Sequence, residues 1–386
     1  MKVMILGQFP MDWSKMEGGV ESSLSYLVDE LAGREDVQLQ LVTCRPEIAE
    51  PEVRQRGATR IVYLPRGRLG RITFHRKDIA AIRCIVDAER PDIVHGHGTS
   101  VYAGAALQCG RPAILTVHGI VFRELQFAVN RAQRLRGLLD AYYERRCLRR
   151  TKYLIAIAPY VQREFAGVTK AQTWNIPNAI SPAFFALERD AEPNTILFPG
   201  VVTPRKAVDE LIRAVALVRR ALSDVRLRIA GETKHYPGYV ASVHRLIAQE
   251  NLESNVQFLG FQTEGGVLQE YARSAVMALA SHQETLPTVV QQAMAARLPV
   301  VSTAVGGVPD IVENERTGLL VSPGDVQGLA DALLRVLRNR ALADSLAREA
   351  RAYAEENFHA SAVARRVMDV YCQVLNAETG QDGGSL

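Results

Sequence analysis

The sequence predicts two α/β domains in tandem, each a parallel sheet covered on both faces by helices. Three observations predict it. The chain has 386 residues, a length that usually divides into two domains with separate cores. Short apolar strands alternate with helical periodicities along nearly all of it. The alternation breaks once, near the middle, at a stretch rich in Pro and charge.

The elements follow in order. Residues 2–6 read as the first strand. Val20, Leu24, Leu27, Val28 and Leu31 recur at helical spacing and predict an amphipathic helix. Further strands are expected at 38–43, 61–64, 92–95, 113–118 and 153–157, with a helix at 77–88. The break contains Pro177-Asn178-Ala179-Ile180-Ser181-Pro182 and Arg189-Asp190-Ala191-Glu192-Pro193. It sets a first domain at 1–178, a hinge at 179–194 and a second domain at 195–358. The second series has strands at 195–201, 225–230, 256–259, 276–280, 299–303 and 318–321. Helices are expected at 208–222, 239–250, 266–274, 288–297, 326–339 and 341–356. A last amphipathic helix runs over 360–376, and 377–386 is an expected disordered tail.

Hydrophobic residues make up 47% and charged residues 23%, the balance of a soluble globular chain. No apolar run approaches the roughly 20 residues that span a bilayer. Residues 1–7 are too short for a signal peptide and carry no cleavage site, so a cytoplasmic location is expected. Cys44, Cys84, Cys109, Cys147 and Cys372 form no CxxC pair and read as reduced thiols, neither a disulfide frame nor a metal site. The formal net charge is only +4, so the distribution of charge matters more than its sum.

Five places carry residues suited to chemistry. Gly18-Gly19-Val20-Glu21 opens the first helix. Glycines let backbone approach a ligand, and a helix N-terminus offers free N–H groups to a phosphate or a hydroxyl-rich acceptor. A flexible loop with a glycine cap is an equal reading. His95-Gly96-His97-Gly98 and His118-Gly119 stand where strands end. His95 and His97 read as histidines capping their own loop, and His118 as functional; two histidines without nearby carboxylates do not make a metal site. At Gly200 a strand runs into Arg205-Lys206 at a helix start, where the dipole disfavours cations. An anion between them would explain the pair, and a fork beside a point charge suits a diphosphate.

The richest stretch runs from Ala280 through Glu284-Thr285-Leu286-Pro287-Thr288-Val289 to Gln292 and Pro299-Val300-Val301. Glu284 can accept from sugar hydroxyls. Backbone N–H groups from Leu286 to Val289 lie at a helix start, where phosphate binds. Gly306-Gly307, Gly231-Glu232 and Gly260-Phe261 fall at equivalent strand ends and read as loops for a base and ribose.

In this order the motifs resemble the retaining glycosyltransferases of family four, the glycosyl transferases group 1, over almost the whole chain. The resemblance implies the GT-B fold: two facing Rossmann-like domains, an interdomain cleft, and a last helix that crosses back to the first domain. It implies a nucleoside-diphosphate sugar donor, a glycan, lipid-linked or small-molecule acceptor, no cofactor and no metal. Arg205 and Lys206 would neutralise the leaving diphosphate, Glu284 bind donor-sugar hydroxyls, and His118 lie near the reacting sugar. Gly19 would approach the phosphates, with Gly18 and Glu21 on the acceptor side. Gln292 departs from the pattern: it stands where the second acid of the family's Glu-x7-Glu motif holds the ribose. A non-catalytic binding protein and a sugar-nucleotide epimerase are the alternatives.

Arg123, Arg131, Arg134, Arg136, Arg145, Arg146, Arg149, Arg150 and Lys152 crowd one region, opposed by Glu124, Asp140 and Glu144 and interleaved with apolar residues. Peripheral contact with an anionic membrane, on its inner face, and an ordinary solvated helix face are both consistent with this. No nucleic-acid-binding motif accompanies the charge.

Overall fold

The computed structural model describes residues 1–13, 15–16, 18–67 and 70–380. The tail from Gln381 lies outside the described residues. The chain divides into two compact units. One holds Met1–Met11, Val20–Ala179 and Ala360–Leu386; the other holds Asp12–Gly19 and Ile180–His359.

The first unit is built on β1(Lys2–Leu6), α1(Gly18–Ala32), β2(Gln38–Arg45), β3(Glu52–Arg56), β4(Thr59–Pro65), α2(Arg76–Glu89), β5(Ile93–His97) and α3(Val101–Ala106). It continues through β6(Ala113–Val117), α4(Val121–Glu124), α5(Arg131–Leu148), β7(Tyr153–Ala156), α6(Pro159–Glu164) and β8(Gln172–Asn175). The sheet order is β3-β4-β2-β1-β5-β6-β7-β8. Seven strands are parallel, and only β3 runs antiparallel, to β4. The inner strands are apolar on both faces because helices cover both: Val3, Met4, Ile5 and Leu6 of β1 are all fully buried. Each such side chain contributes about 1.5–3 kcal/mol by leaving water. Of the α1 stripe, Leu24, Leu27, Val28 and Leu31 are buried as the spacing predicts, while Val20, in the first turn, is exposed.

The second unit contains α7(Pro182–Phe185), β9(Thr195–Pro199), α8(Val208–Arg219), β10(Arg226–Ala230), α9(Pro237–Gln249), β11(Val256–Gly260) and α10(Glu264–Arg273). It continues with β12(Val276–Leu279), α11(Thr288–Ala295), β13(Val300–Thr303), β14(Leu319–Val321), α12(Val326–Arg338) and α13(Arg340–Asn357). The last helix, α14(Ala360–Thr379), belongs to the first unit, where Tyr371 is fully buried and meets His95. All six strands of the second sheet are parallel, in the order β11-β10-β9-β12-β13-β14. That is the doubly wound order, in which successive strands step outward from β9 and then reverse. Its switch point falls between β9 and β12, and the crevice outside the carboxyl ends of those two strands is where such sheets bind ligands.

Candidate functional site

The loops leaving β9 and β12 carry the charged residues, and the switch point brings them together. Gly200 follows β9 at φ 149°, and a 3-10 turn, Pro204–Lys206, precedes α8. Gly231, after β10, packs so tightly that a Cβ there would stand 1.9 Å from the Gly200 carbonyl oxygen; only glycine fits. Ala207, between the turn and α8, sits at φ 46°, ψ 48°, a left-handed conformation unusual for alanine.

From that turn, Lys206 Nζ reaches Glu284 Oε1 at 2.9 Å and Arg205 reaches Glu284 Oε2 at 3.0 Å. Ser281 donates to Oε1 at 2.8 Å. Arg205 also donates to the Gln283 carbonyl at 2.6 Å, and His282 N–H donates to the Arg205 carbonyl at 2.8 Å. Burial alone would raise the Glu284 pKa; Lys206 and then Arg205 outweigh it and hold the carboxyl down to about 2. Glu284 is therefore ionised, and it is the anion between the two cations. Both of its oxygens are already engaged, Oε1 by Lys206 and Ser281 and Oε2 by Arg205.

Beyond Glu284 the chain is buried through Leu286 and Pro287, and α11 starts at Thr288. Pro287 is the cap of α11 and has no N–H, so the first-turn donors are Thr288 and Val289. Gly18 and Gly19, the first two residues of α1, group with the second unit and not with the rest of that helix; a Cβ on Gly19 would come 2.1 Å from Thr288 Oγ1. Gln292 is half-buried on α11, and its Oε1 lies 3.3 Å from the Tyr271 hydroxyl, which also donates to the Val289 carbonyl at 3.0 Å. Phe261, just past β11, is 44% exposed.

In the first unit, Glu21 is fully buried, with Arg45 at 2.6 Å and Gln8 at 3.1 Å on the same oxygen. Its carboxylate is spent inside the fold and not offered at a surface. The reading of His95 and His97 as loop caps is also corrected. Both lie within β5, and their partners come from elsewhere: Tyr371 and Thr116 for His95, His118 for His97. His118 bonds His97 through Nε2 and Asn178 through Nδ1, at 2.9 and 3.0 Å. Among the described residues no group of His, Cys, Asp and Glu is arranged to hold a metal ion.

Glu144 was grouped with the charges opposing the arginines, but it is fully buried. Its Oε1 accepts from Thr99 at 3.0 Å and from the Val121 N–H at 3.4 Å, tying the loop after β5 to the loop after β6. The signal for this lay in the spacing: Glu144 shares a stripe of α5 with Ala141 and Leu148, both buried. Of the arginines, Arg123 is taken by Glu164, while Arg131, Arg134, Arg136, Arg145, Arg146, Arg149 and Arg150 are exposed.

Comparison with known proteins agrees with this geometry. Residues 17–184 match the family described as Glycosyltransferase Family 4, and residues 180–353 match Glycosyl transferases group 1. A D-inositol 3-phosphate glycosyltransferase from Saccharomonospora viridis is 30% identical over 212 residues, 53% of this chain and 48% of that protein. The chain spans about half the length, or somewhat less, of the first curated relatives it matches. The sucrose-phosphate synthase structure from Thermosynechococcus elongatus has a TM-score of 0.81 at 21% identity, covering 98% of this chain and 100% of that one. The Anabaena Alr3699/HepE structure in complex with UDP-glucose has a TM-score of 0.74 at 19% identity, covering 97% and 100%. The two doubly wound units are thus those of the GT-B fold. Matched over residues 17–353 by these two families together, the chain belongs to the family 4 glycosyltransferases, the glycosyl transferases group 1.

Proposed function

We propose that this chain transfers a sugar from a nucleoside-diphosphate sugar to an acceptor hydroxyl, with retention of configuration and without a metal. The observation that carries the reading is the meeting of Arg205, Lys206 and Glu284 at the β9/β12 switch point, beside the start of α11. Two cations against one carboxylate leave one net positive charge, and the α11 N–H groups of Thr288 and Val289 add a partial one. That is a site for a diphosphate. It supplies from side chains and a helix end the charge stabilisation that a departing diphosphate requires. Glu284 adds an acceptor for sugar hydroxyls, and exposed Phe261 a face on which a base can stack. The UDP-glucose held by a structure of the same fold supports this class of donor.

The step that fits is a front-face displacement. The acceptor oxygen forms a bond to the anomeric carbon on the side from which the phosphate departs. The bond from that carbon to the phosphate oxygen breaks, and the acceptor's proton passes to the departing phosphate oxygen. No protein nucleophile is required. The test is a thermal-shift screen, without added metal, against UDP, GDP, ADP and their sugar conjugates. Binding to the folded state raises the melting temperature by mass action. One nucleotide should stabilise the protein, and Arg205→Ala should remove the effect; no response to any of them would count against the reading.

The acceptor is proposed to be lipid-linked or otherwise anionic and reached at a membrane surface. Val129, Leu135, Leu138 and Tyr142 are exposed on and beside α5, each more than half or about half accessible, among exposed Arg131, Arg134 and Arg136. Apolar side chains that enter an interface beside cations that meet anionic headgroups are what peripheral attachment needs. No helix among the described residues is long and apolar enough to cross a membrane.

A further inference from the structure

Three imidazoles lie in a row on the first sheet. The His95 and His97 rings are 4.2 Å apart, and those of His97 and His118 are 5.2 Å apart and stacked at 23°. His95 is saturated, by the Tyr371 hydroxyl at 2.7 Å and the Thr116 hydroxyl at 2.7 Å. The protons of the other two can be assigned. Asn178 Oδ1 only accepts, so His118 Nδ1, 3.0 Å away, carries a proton. Burial lowers the His118 pKa to about 4, so the ring is neutral near pH 7 and its Nε2 is bare. That bare nitrogen lies 2.9 Å from His97 Nδ1, which therefore donates. His97 Nε2 is then an acceptor; it is buried, with no hydrogen-bond partner among the described residues.

We propose that His97 is a positioning residue for His118, locking its ring through a one-way hydrogen-bond chain that runs from His97 through His118 to Asn178. With both nitrogens engaged, His118 neither rotates nor exchanges a proton. What it offers a sugar is its backbone and the carbon edge of a fixed, neutral ring. His97 does not itself meet substrate. The cavity it lines with Ser23, Thr116 and Asn178 has a volume of about 20 Å³, room for one water molecule and not for a sugar ring. The proton assignment stands on the hydrogen-bond geometry and on the neutrality of the buried ring; only its kinetic consequence rests on the transferase reading.

The test uses the full chain labelled with ¹⁵N-histidine and long-range ¹H–¹⁵N spectra. Wild-type His118 should show a protonated Nδ1 and a bare Nε2, unchanged between about pH 6 and 8. His97→Leu removes the donor, and His97→Asn returns an amide donor close to the place of Nδ1. The Leu variant should leave His118 Nε2 without its donor, so that its tautomer and ring orientation are no longer fixed, and lower kcat about tenfold with donor KM unchanged; the Asn variant should recover to within about twofold. A wild-type spectrum with the His118 proton on Nε2 overturns the inference, whether or not either variant folds. So does a Leu variant in which neither spectrum nor kcat changes. If no acceptor is ever turned over, the spectra still decide the point, and only the transferase reading falls.

Discussion

Lys206 and Glu284 form a buried ion pair, Nζ to Oε1 at 2.9 Å, across the switch point of the second sheet. Arg205 holds the other carboxylate oxygen at 3.0 Å. The group expected to bind sugar thus also holds in place the two cations proposed to bind the diphosphate. Glu284→Gln should separate these roles. Transfer should fall by at least about a hundredfold, the order found when one charge-assisted contact to a reacting substrate is lost. Affinity for the free nucleoside diphosphate should hold or rise, because the cations no longer share their charge with a carboxylate. Leaving them uncompensated should lower stability by about 3 kcal/mol. Calorimetric titration of the nucleotide beside a transfer assay reads both. Equal loss of diphosphate binding and transfer would contradict the division of roles.

Gln292 stands eight residues after Glu284 on α11, its amide oxygen 3.3 Å from the buried Tyr271 hydroxyl. A carboxylate there would accept from a ribose diol with charge assistance, worth on the order of 1 kcal/mol over a neutral amide. Gln292→Glu should therefore tighten nucleotide binding about fivefold, with little change in kcat. An unchanged or weaker dissociation constant would show that ribose is held elsewhere.

The fold was largely legible because strands buried on both faces are continuous apolar runs, which periodicity finds. Two edge strands were not. β3 reads Glu-Val-Arg-Gln-Arg and β8 reads Gln-Thr-Trp-Asn, both polar because they lie at sheet edges. In the site, Arg205, Lys206 and Glu284 could be named singly from charge at strand ends. Their pairing could not, since 78 residues separate Lys206 from Glu284 and only the strand order joins them. His97 was misread for a related reason. A histidine beside glycine looks like a loop cap until β6 is known to lie beside β5 and to bring His118 to it.

The exposed apolar residues of α5 give a membrane prediction. The wild-type chain should float with vesicles containing anionic lipid and stay in the soluble fraction with neutral ones. Leu135→Ser with Leu138→Ser should weaken flotation by roughly a hundredfold, since each buried leucine is worth at least about 1.5 kcal/mol. Raising the salt should weaken it further by screening the arginines. A wild-type protein that stays soluble with anionic vesicles would remove the surface role of this region.

Glu144 gives a prediction in pH. Burial raises its pKa from 4.5 to about 7, outweighing the Thr99 and Val121 donors that favour the charge. The folded state therefore holds this proton more tightly than the unfolded chain does. Its stabilising effect is fully present below about pH 4.5 and is lost as pH rises through about 7. Above that, the fold carries a buried carboxylate whose Oε2 has no partner among the described residues. Glu144→Gln keeps a carbonyl to accept from Thr99 and Val121 and removes the ionisation. Wild type and variant should melt at similar temperatures near pH 4.5. By about pH 8 the variant should be the more stable, by a margin on the order of 3 kcal/mol. Melting curves across that range decide it. A gap that does not grow with pH would mean that Glu144 ionises freely, and that the clip between the β5 and β6 loops does not depend on its proton.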